Sequence, residues 1–419
     1  MLAHSLPFAA EISAEALAQV PARPAVFLLR GHNAEAEPYI SKTADLRKRL
    51  TRLLAPAEAQ SRRLNLRERV AQIEYTLVGS DFESRLLLYR VLRESFPESY
   101  LRRIKLATPA LVKINWENAY PRAYVTRRLG KIGGKSVYYG PFLSKAAADK
   151  FLNDVLDLFK SRRCTDDLHP DPRFPGCIYS EMKMCLAPCF QGCSDEEYFA
   201  ETRKVQEYLD SRGASMVSQL AQQRDEASAS LDFERAAALH ARIDKVKAAV
   251  SGLPEIVRRI DRLHALIVQP SATPETVALF EVCGGAIEGP ALFSVQQMLH
   301  PNPAAGSTSL YAYPHLPQAA PEESARAGAQ KSFDTRVLEA IASIEKREKL
   351  SNSERCEELA LLKQWYYRSS RVGEICFADE QEDCPVRRIV RGISRVYRGE
   401  RQTETPSDPA AHPDPLPAQ

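Results

Sequence analysis

The residues of this chain that most strongly indicate chemistry are its clustered cysteines. Five of the nine cysteines fall within the 30 residues from Cys164 to Cys193. Twelve residues separate Cys164 from Cys177, and seven separate Cys177 from Cys185. Three residues separate Cys185 from Cys189. Four thiolates at such spacings can bind a tetrahedral Zn²⁺ ion or an iron–sulfur cluster. The spacing does not distinguish the two metals, and buried free cysteines without metal are the alternative.

The rest of the sequence favours a metal site over disulfides for this array. The first residues lack a basic stretch followed by a long apolar core, so we expect no secretory signal. No window approaches the roughly 18 consecutive apolar residues of a membrane helix, so we expect no membrane partner. We therefore expect a cytoplasmic protein, in which clustered cysteines are more typical of a metal site than of disulfides. Cys193 is expected to be dispensable for that site.

Basic residues are concentrated in two segments, although the whole chain has a formal net charge of only +3. Residues 42–69 hold nine Lys and Arg residues and three carboxylates, a net charge of +6. Residues 120–131 add four basic residues interleaved with two tyrosines. Such runs favour contacts with nucleic-acid phosphates, which need charge and no reading of bases. A solvated basic face is the alternative. The residues expected to contact DNA are Arg47, Arg52, Arg62, Arg63, Arg122, Arg127 and Arg128.

Residues 231–246 have the apolar pattern of the second helix in a helical hairpin. Leu231, Ala237 and Leu239 could line the seam between the two helices, and Phe233 is a prominent apolar anchor. A hairpin of this size is too small to fold alone, so we expect it to pair with a like hairpin on a partner. A plain intramolecular hairpin is the alternative. The residues expected to bind the partner are Leu231, Phe233, Glu234, Arg235 and Ala236.

Helices and strands alternate along the first 300 residues and must position these groups. Apolar runs predict strands at 24–30, 38–41, 72–79, 111–115, 123–129 and 135–140, with further strands between 262 and 298. Helical spacing predicts helices at 44–54, 82–96, 143–161 and 196–213, and a hairpin at 214–250 that is broken near Ser230. Residues 331–397 are expected to be mostly helical.

These elements predict an α+β, multi-domain chain. Its parts are a small α/β domain with an α/β extension, a cysteine-rich metal module, a helical hairpin, a small β-rich segment and a helical C-terminal region. The expected boundaries, in chain order, are 20–100, 101–163, 164–195, 196–252, 253–300, 301–330, 331–400 and 401–419. The sixth segment is a linker, and the last is a proline-rich tail expected to be disordered.

Four motifs, taken in their order along the chain, resemble those of the UvrC family, the nuclease subunit of bacterial nucleotide excision repair. The resemblance runs from about residue 24 to about residue 250, and more weakly to about 298. PAVFLLR…PYISKTADLRKRL resembles the start of the family's GIY-YIG nuclease domain, and YPRAYVTRRL…YYGPF resembles the segment after it. RRC…PGCIYSEMKMCLAPC matches the family's four cysteines, and LDFERAAALHARI resembles a UVR motif. The resemblance implies a GIY-YIG-like domain at 20–100, and a UVR motif that pairs with UvrB.

The resemblance also implies which residues would form the nuclease site. Tyr39, Lys42 and Arg49 match the family's second tyrosine, its lysine and its arginine, and are the expected catalytic residues. Phe27 occupies the position of the first tyrosine, which helps to activate the attacking water, and a phenyl ring cannot relay a proton. Leu88 occupies the position of the metal-binding glutamate, and leucine offers no oxygen ligand. We therefore expect weak or no nuclease activity.

The expected function is a repair-associated protein that binds DNA and a UvrB-like partner. The alternative is an active, structure-selective endonuclease, in which Tyr39 is the base and Glu83 or Glu74 is recruited to Mg²⁺ or Mn²⁺. A third hypothesis is a regulatory module in which a cluster gates the affinity for DNA. The cofactor implied for Cys164, Cys177, Cys185 and Cys189 is a 4Fe–4S cluster or Zn²⁺.

The C-terminal part differs from the family pattern. The family carries an RNase H-like nuclease and a helix-hairpin-helix DNA reader there, and residues 299–419 are too short for both. An aromatic and basic segment at 357–375 is found instead. Its side chains could stack on single strands or form the core of a helix, and they are Trp365, Tyr366, Tyr367, Arg368 and Arg371.

Overall fold

A computed structural model describes the chain over residues 2–9, 17–33, 35–56, 64–165, 167–296, 333–379 and 385–399. Arg62, Arg63, the linker predicted at 301–330 and the tail predicted at 401–419 lie outside these residues. The described chain contains three four-stranded antiparallel sheets that are flanked by helices. Across these ranges, none of the helices combines the length and apolar character that crossing a membrane requires.

The first sheet has the order β1-β4-β2-β3. Its strands are β1 (His4–Pro7), β2 (Ala25–Gly31), β3 (Tyr39–Thr43) and β4 (Val70–Leu77). Helix α1 (Leu46–Leu54) follows β3, and Asp45 caps it by accepting a hydrogen bond from the Lys48 amide. The face predicted to be apolar is the one that packs on the sheet, and its buried members are Leu46, Leu50, Leu53 and Leu54. Helix α2 (Asp81–Ser95) then begins at the capping residue Ser80.

The second sheet has the order β6-β5-β7-β8. Its strands are β5 (Ala110–Ile114), β6 (Ala123–Thr126), β7 (Val137–Phe142) and β8 (Arg258–Arg259). One short helix precedes β5, and three more lie between β7 and the helical hairpin described below. In chain order they are α3 (Tyr100–Ile104), α4 (Lys145–Leu156), α5 (Ile178–Glu181) and α6 (Asp195–Asp210). The cysteine-rich segment therefore lies between two helices of this part of the fold.

The predicted hairpin is present as helices α7 (Ala214–Ala229) and α8 (Phe233–Ser251). The break falls where predicted, because Ser230 ends α7 and Asp232 caps α8 through the Arg235 amide. Between them Leu231 has a φ of 61°. Ile243 and Val246 are the buried residues of α8, so the hairpin packs on the body of the protein at its far end.

The third sheet has the order β11-β10-β9-β12. Its strands are β9 (His264–Pro270), β10 (Thr276–Cys283), β11 (Ala286–Ser294) and β12 (Glu374–Phe377). Gly284 and Gly285, both with positive φ, form the hairpin turn between β10 and β11. The helices of this part are α9 (Phe333–Ala342), α10 (Asn352–Tyr366) and α11 (Val386–Tyr397).

Strand β12 is a difference from the mostly helical pattern predicted for residues 331–397. It pairs antiparallel with β9, placing Ile375 opposite Ile267. All four of its residues are buried. A short, fully buried apolar run has no alternation, so its period does not distinguish a strand from part of a helix. Residues far apart in the sequence therefore share one sheet.

The aromatic segment around Trp365 belongs to the core, as the alternative for that segment proposed. The Trp365 ring is 5% exposed, and its Nε1 donates to the Val372 carbonyl at 2.9 Å. The Tyr367 hydroxyl donates to the Pro141 carbonyl at 3.1 Å. Trp365 also contacts Phe82 of α2, with ring centroids 5.2 Å apart. The C-terminal helices are thus packed against α2 of the first part of the chain.

Candidate functional site

The structure brings together two of the residues predicted for the nuclease site. Tyr39 starts β3, and Arg49 lies in the middle of α1. The Arg49 Nη2 donates a hydrogen bond to the Tyr39 hydroxyl oxygen at 2.9 Å. Because α1 is held by its four buried leucines, the guanidinium is fixed beside the phenol. This arrangement presents a cation and a hydroxyl together, which suits the binding of a phosphate group.

Phe27 lies in the core directly behind this pair. Its side chain is 0% exposed, and its ring centroid is 6.1 Å from that of Tyr39. Phe27 belongs to the same buried cluster as Leu46 and Leu50 of α1. The phenyl ring therefore completes the packing of the first sheet, and it places no hydroxyl beside Tyr39.

Lys42 lies at an ion cluster that the sequence does not predict. The Lys42 Nζ contacts a carboxylate oxygen of Asp81, the first residue of α2. The same carboxylate accepts from Arg85 at 2.8 Å and contacts Arg368, which is 287 residues away in the chain. Partial burial opposes ionisation of Asp81, but Lys42, Arg85 and Arg368 together lower its pKa to about 2. Lys42 is thus held by a carboxylate, and Asp81 joins α2 to the C-terminal helices.

Replacing Asp81 with Asn is expected to make the free energy of unfolding less dependent on pH in the acid range. A pKa lowered from 3.8 to about 2 stabilises the fold above about pH 4, and that stabilisation is lost as the pH falls towards 2. Solvent screening of this carboxylate limits the effect to under about 1 kcal/mol. Urea unfolding at several pH values from 3 to 6 measures it. The matched control is Asp149→Asn on the exposed face of α4. If the free energy of unfolding changes with pH equally in both variants, the prediction is contradicted.

The carboxylates considered as replacements for a metal ligand are engaged elsewhere. Leu88 lies half-buried on α2. The Glu83 carboxylate accepts from the Gly79 amide at 2.7 Å, and burial raises its pKa. The Glu74 carboxylate accepts from the Arg30 Nε at 2.5 Å. Neither of these acidic groups is held in place as a metal ligand in the structure.

The four predicted cysteine ligands are neighbours in the fold. Cys177 begins α5, and Cys189 lies in a 3-10 turn at Pro188–Phe190. Cys185 precedes that turn, and its sulfur accepts from the Ala187 amide at 3.3 Å. Burial, together with negative charge on Cys164, Cys189 and Cys177, raises the pKa of Cys185 to about 11, although the hydrogen bond from the Ala187 amide acts in the opposite direction. Cys185 therefore lies within electrostatic range of the other three thiols.

The donor set fits a thiophilic metal, although the sulfurs are not drawn into a closed site. Within the part of the chain that the structure describes, no group of three or more His, Cys, Asp or Glu side chains is arranged to hold a metal. Cys193 differs from the other four in its surroundings, because burial and the charges of Glu197 and Asp195 raise its pKa.

A buried arginine connects the cysteine segment to the second sheet. Arg162 is 1% exposed, and its Nη1 lies 3.6 Å from the Cys164 sulfur. Its Nε donates to the Tyr120 carbonyl at 3.0 Å, just before strand β6. The sequence did not predict a role for Arg162, because an arginine near a cysteine forms no recognisable motif.

The described residues predicted to contact DNA lie in two places, on helix α1 and on either side of strand β6. Arg52 is exposed on α1, and Arg127 and Arg128 are exposed just after β6. Arg122 is half-buried, with its guanidinium 4.6 Å from the centroid of the Tyr124 ring. Arg47 is exposed, but its Nε donates to the Val20 carbonyl at 2.7 Å. The exposed arginines therefore present charge to solvent. Arg47 has a second role, because its hydrogen bond also holds the chain before β2 in place.

The residues predicted to bind a partner stand at the tip of the hairpin. Leu231 is 73% exposed and Phe233 is 63% exposed. Glu234 and Arg235 are also exposed, and Ala236 is half-buried. Of the residues expected to line the seam, Ala237 is exposed as well, whereas Leu239 is half-buried against the core. The apolar residues at this tip contribute nothing to the core, and they are available for docking.

Two segments of the chain match models of known protein families. Residues 110–208 match the model of the UvrC/Cho excinuclease middle domain, and residues 214–249 match the UvrB/uvrC motif. No solved structure matches the chain.

Relatives over a longer stretch carry the name UvrABC system protein C. The protein of Dehalococcoides mccartyi is 26% identical over 67% of this chain and 46% of its own length. The proteins of Aliivibrio salmonicida and Haemophilus ducreyi are 29% and 28% identical over 55% and 60% of this chain, and over 37% and 40% of their own lengths. The chain thus spans less than half the length of these relatives. Over residues 110–208 and 214–249 the chain is therefore similar to the UvrC family, first to its middle domain and then to its UVR motif.

Proposed function

We propose that this protein binds DNA in nucleotide excision repair, recruits a UvrB-like partner through its hairpin tip, and cleaves DNA weakly or not at all. The observation that carries the proposal is the buried Phe27 ring beside the retained Tyr39–Arg49 pair. A phosphate-binding arrangement is kept, while the group that would activate water is replaced by a packing residue.

The chemistry of phosphodiester cleavage explains why these substitutions matter. The reaction needs a group that takes a proton from the attacking water and a divalent metal that stabilises the developing negative charge. Phe27 can supply no proton acceptor, and Leu88 can supply no metal ligand. Arg49 and Tyr39 can still bind and orient a phosphate. Binding without efficient cleavage is therefore the function that these residues support.

Restoring the missing groups is the direct test of this loss. The double variant Phe27→Tyr with Leu88→Glu is expected to raise strand cleavage at least about 10-fold over the wild type, since general-base groups alone contribute factors of about 100 or more. The assay follows nicking of a damaged, end-labelled duplex with Mg²⁺ or Mn²⁺. The control adds Tyr39→Phe to the double variant and should abolish the gain. Robust cleavage by the wild type that depends on Tyr39 would overturn the proposal.

An active endonuclease is the second candidate, and the Arg49–Tyr39 hydrogen bond favours it. In this candidate Tyr39, oriented by its hydrogen bond from Arg49, serves as the base. This candidate needs a carboxylate for the metal, and Glu83 and Glu74 are already engaged with the Gly79 amide and with Arg30. The nicking assay above separates the two candidates.

We also propose that Cys164, Cys177, Cys185 and Cys189 hold a 4Fe–4S cluster or a Zn²⁺ ion. Their mutual proximity and thiol chemistry support this proposal. When bound, such a group would cross-link the segment between α4 and α6 and so stabilise its fold. Arg162 bridges Cys164 to Tyr120, close in sequence to Arg122, so an iron–sulfur cluster could also gate DNA affinity. Absorption in the visible range that disappears on oxidation together with DNA binding would support gating, and a colourless zinc-loaded protein would exclude it.

A further inference from the structure

Helix α11 separates its side chains sharply into an apolar face and a basic face. Ile389 and Ile393 are 0% exposed and Val396 is 6% exposed, and all three belong to the core of the third sheet. Residues 386–398 contain no carboxylate and five arginines, at 387, 388, 391, 395 and 398. From sequence alone, a basic amphipathic helix is typical of a segment that lies on a membrane surface. Here the apolar face is already covered by the protein's own sheet, so that role is excluded.

Two of the arginines anchor the helix to the sheet. The Arg395 Nη2 donates to the Glu374 carboxylate at 2.6 Å, and Glu374 is 3% exposed on β12. Arg388 lies 3.4 Å from the Glu255 carboxylate. Gly392 allows the close approach, because a Cβ there would lie 2.9 Å from the Glu374 Oε2. The helix is therefore held in one orientation, which determines the face that it turns to solvent.

The exposed positions of residues 385–399 are three arginines and one glycine. Arg387 and Arg391 are separated by one helical turn, a rise of about 6 Å along the axis. Arg398 is exposed nearer the C-terminal end. We call Arg387 and Arg391 the arginine ridge. Two guanidinium groups at this spacing on an anchored helix can contact one phosphodiester backbone at two points.

We infer that the arginine ridge binds the phosphate backbone of a nucleic acid. Charge complementarity supports this occupant, since the helix carries five cations and no carboxylate. A protein partner would be expected to find an apolar or aromatic anchor at the centre of its interface, and the exposed positions offer none. Residues 379–383, which precede the helix, include acidic side chains. Their negative charge would compete with phosphate groups for the arginines and so lower the affinity for nucleic acid, without changing which arginines bind. The inference deepens the proposed DNA binding, on a surface outside the matched family segments.

The test measures binding of the full chain to fluorescein-labelled duplex and single-stranded oligonucleotides by anisotropy at several salt concentrations. The variant Arg387→Gln with Arg391→Gln is expected to bind about 10-fold more weakly, with a salt slope smaller by about two. Because both side chains are exposed, its thermal unfolding should match that of the wild type. The control, Lys145→Gln with Lys150→Gln, removes the same charge from the exposed face of α4 and should leave binding unchanged.

Each other outcome overturns a specific proposal. Wild-type affinity in the ridge variant, with DNA binding intact, overturns the ridge alone. An equal loss in the lysine control shows a general effect of net charge and also overturns the ridge. A wild-type protein that binds no DNA at low salt overturns both the ridge and the proposed function. Tighter binding of a polyglutamate peptide than of DNA, lost in the ridge variant, would replace nucleic acid by an acidic protein partner.

Discussion

Replacing Cys185 with Ser is expected to release the bound metal and to destabilise the protein together. Cys185 is one of the four proposed ligands, and burial together with charge on Cys164, Cys189 and Cys177 raises its pKa. A structural metal bound by four thiolates contributes its binding free energy to folding, so the loss of one ligand removes much of that contribution. We expect the metal content to fall from about one equivalent to near zero, and the melting temperature to fall by about 10 °C or more. Mass spectrometry of the metal and thermal unfolding measure the two effects.

Cys193→Ser is the matched control for this experiment. Cys193 lies in the same segment but beside Glu197 and Asp195, and its replacement should leave both the metal content and the melting temperature unchanged. The variants Cys164→Ser, Cys177→Ser and Cys189→Ser should behave like Cys185→Ser. Retention of metal in Cys164→Ser, combined with its loss in Cys193→Ser, would show that the ligand set is wrong.

Replacing Phe233 with Ala is expected to weaken binding to a UvrB-like partner by about 100-fold without affecting folding. Phe233 is 63% exposed at the start of α8, so its removal leaves no cavity. An aromatic side chain at the centre of an interface commonly contributes about 2–4 kcal/mol to binding. Titration of the full chain against a purified UvrB-like protein, followed by calorimetry, measures the affinity. The control is Leu338→Ala, which removes an exposed apolar side chain from α9 and should change nothing.

The neighbouring Leu231 strengthens the case, because the fold alone does not explain it. A leucine with a φ of 61° is strained, and at 73% exposure it gains no burial in return. Leu231→Gly should therefore stabilise the isolated protein by up to about 1 kcal/mol and weaken the partner complex. A stabilised variant with full affinity would show that Leu231 is not part of the docking surface. Unchanged affinity in Phe233→Ala would remove the hairpin tip from the proposed function.

Local patterns in the sequence predicted much of the secondary structure. The helix predicted at 44–54 and the break between α7 and α8 lie where they were expected. Both features depend on interactions between residues a few positions apart, and such interactions leave a period or a turn signal in the sequence.

The tertiary structure decided how these parts meet. Asp81 joins Lys42 to Arg368, and β12 joins the sheet begun by β9, across separations that no local pattern records. The apolar face of α11 could have suited a membrane or a core, and only its packing on the third sheet shows which arginines face solvent. Ion pairs and sheet edges form between residues that are distant in the chain, because folding brings together groups with no fixed spacing. The sequence alone therefore determined which elements and motifs are present, and tertiary packing determined which of their side chains remain available for binding.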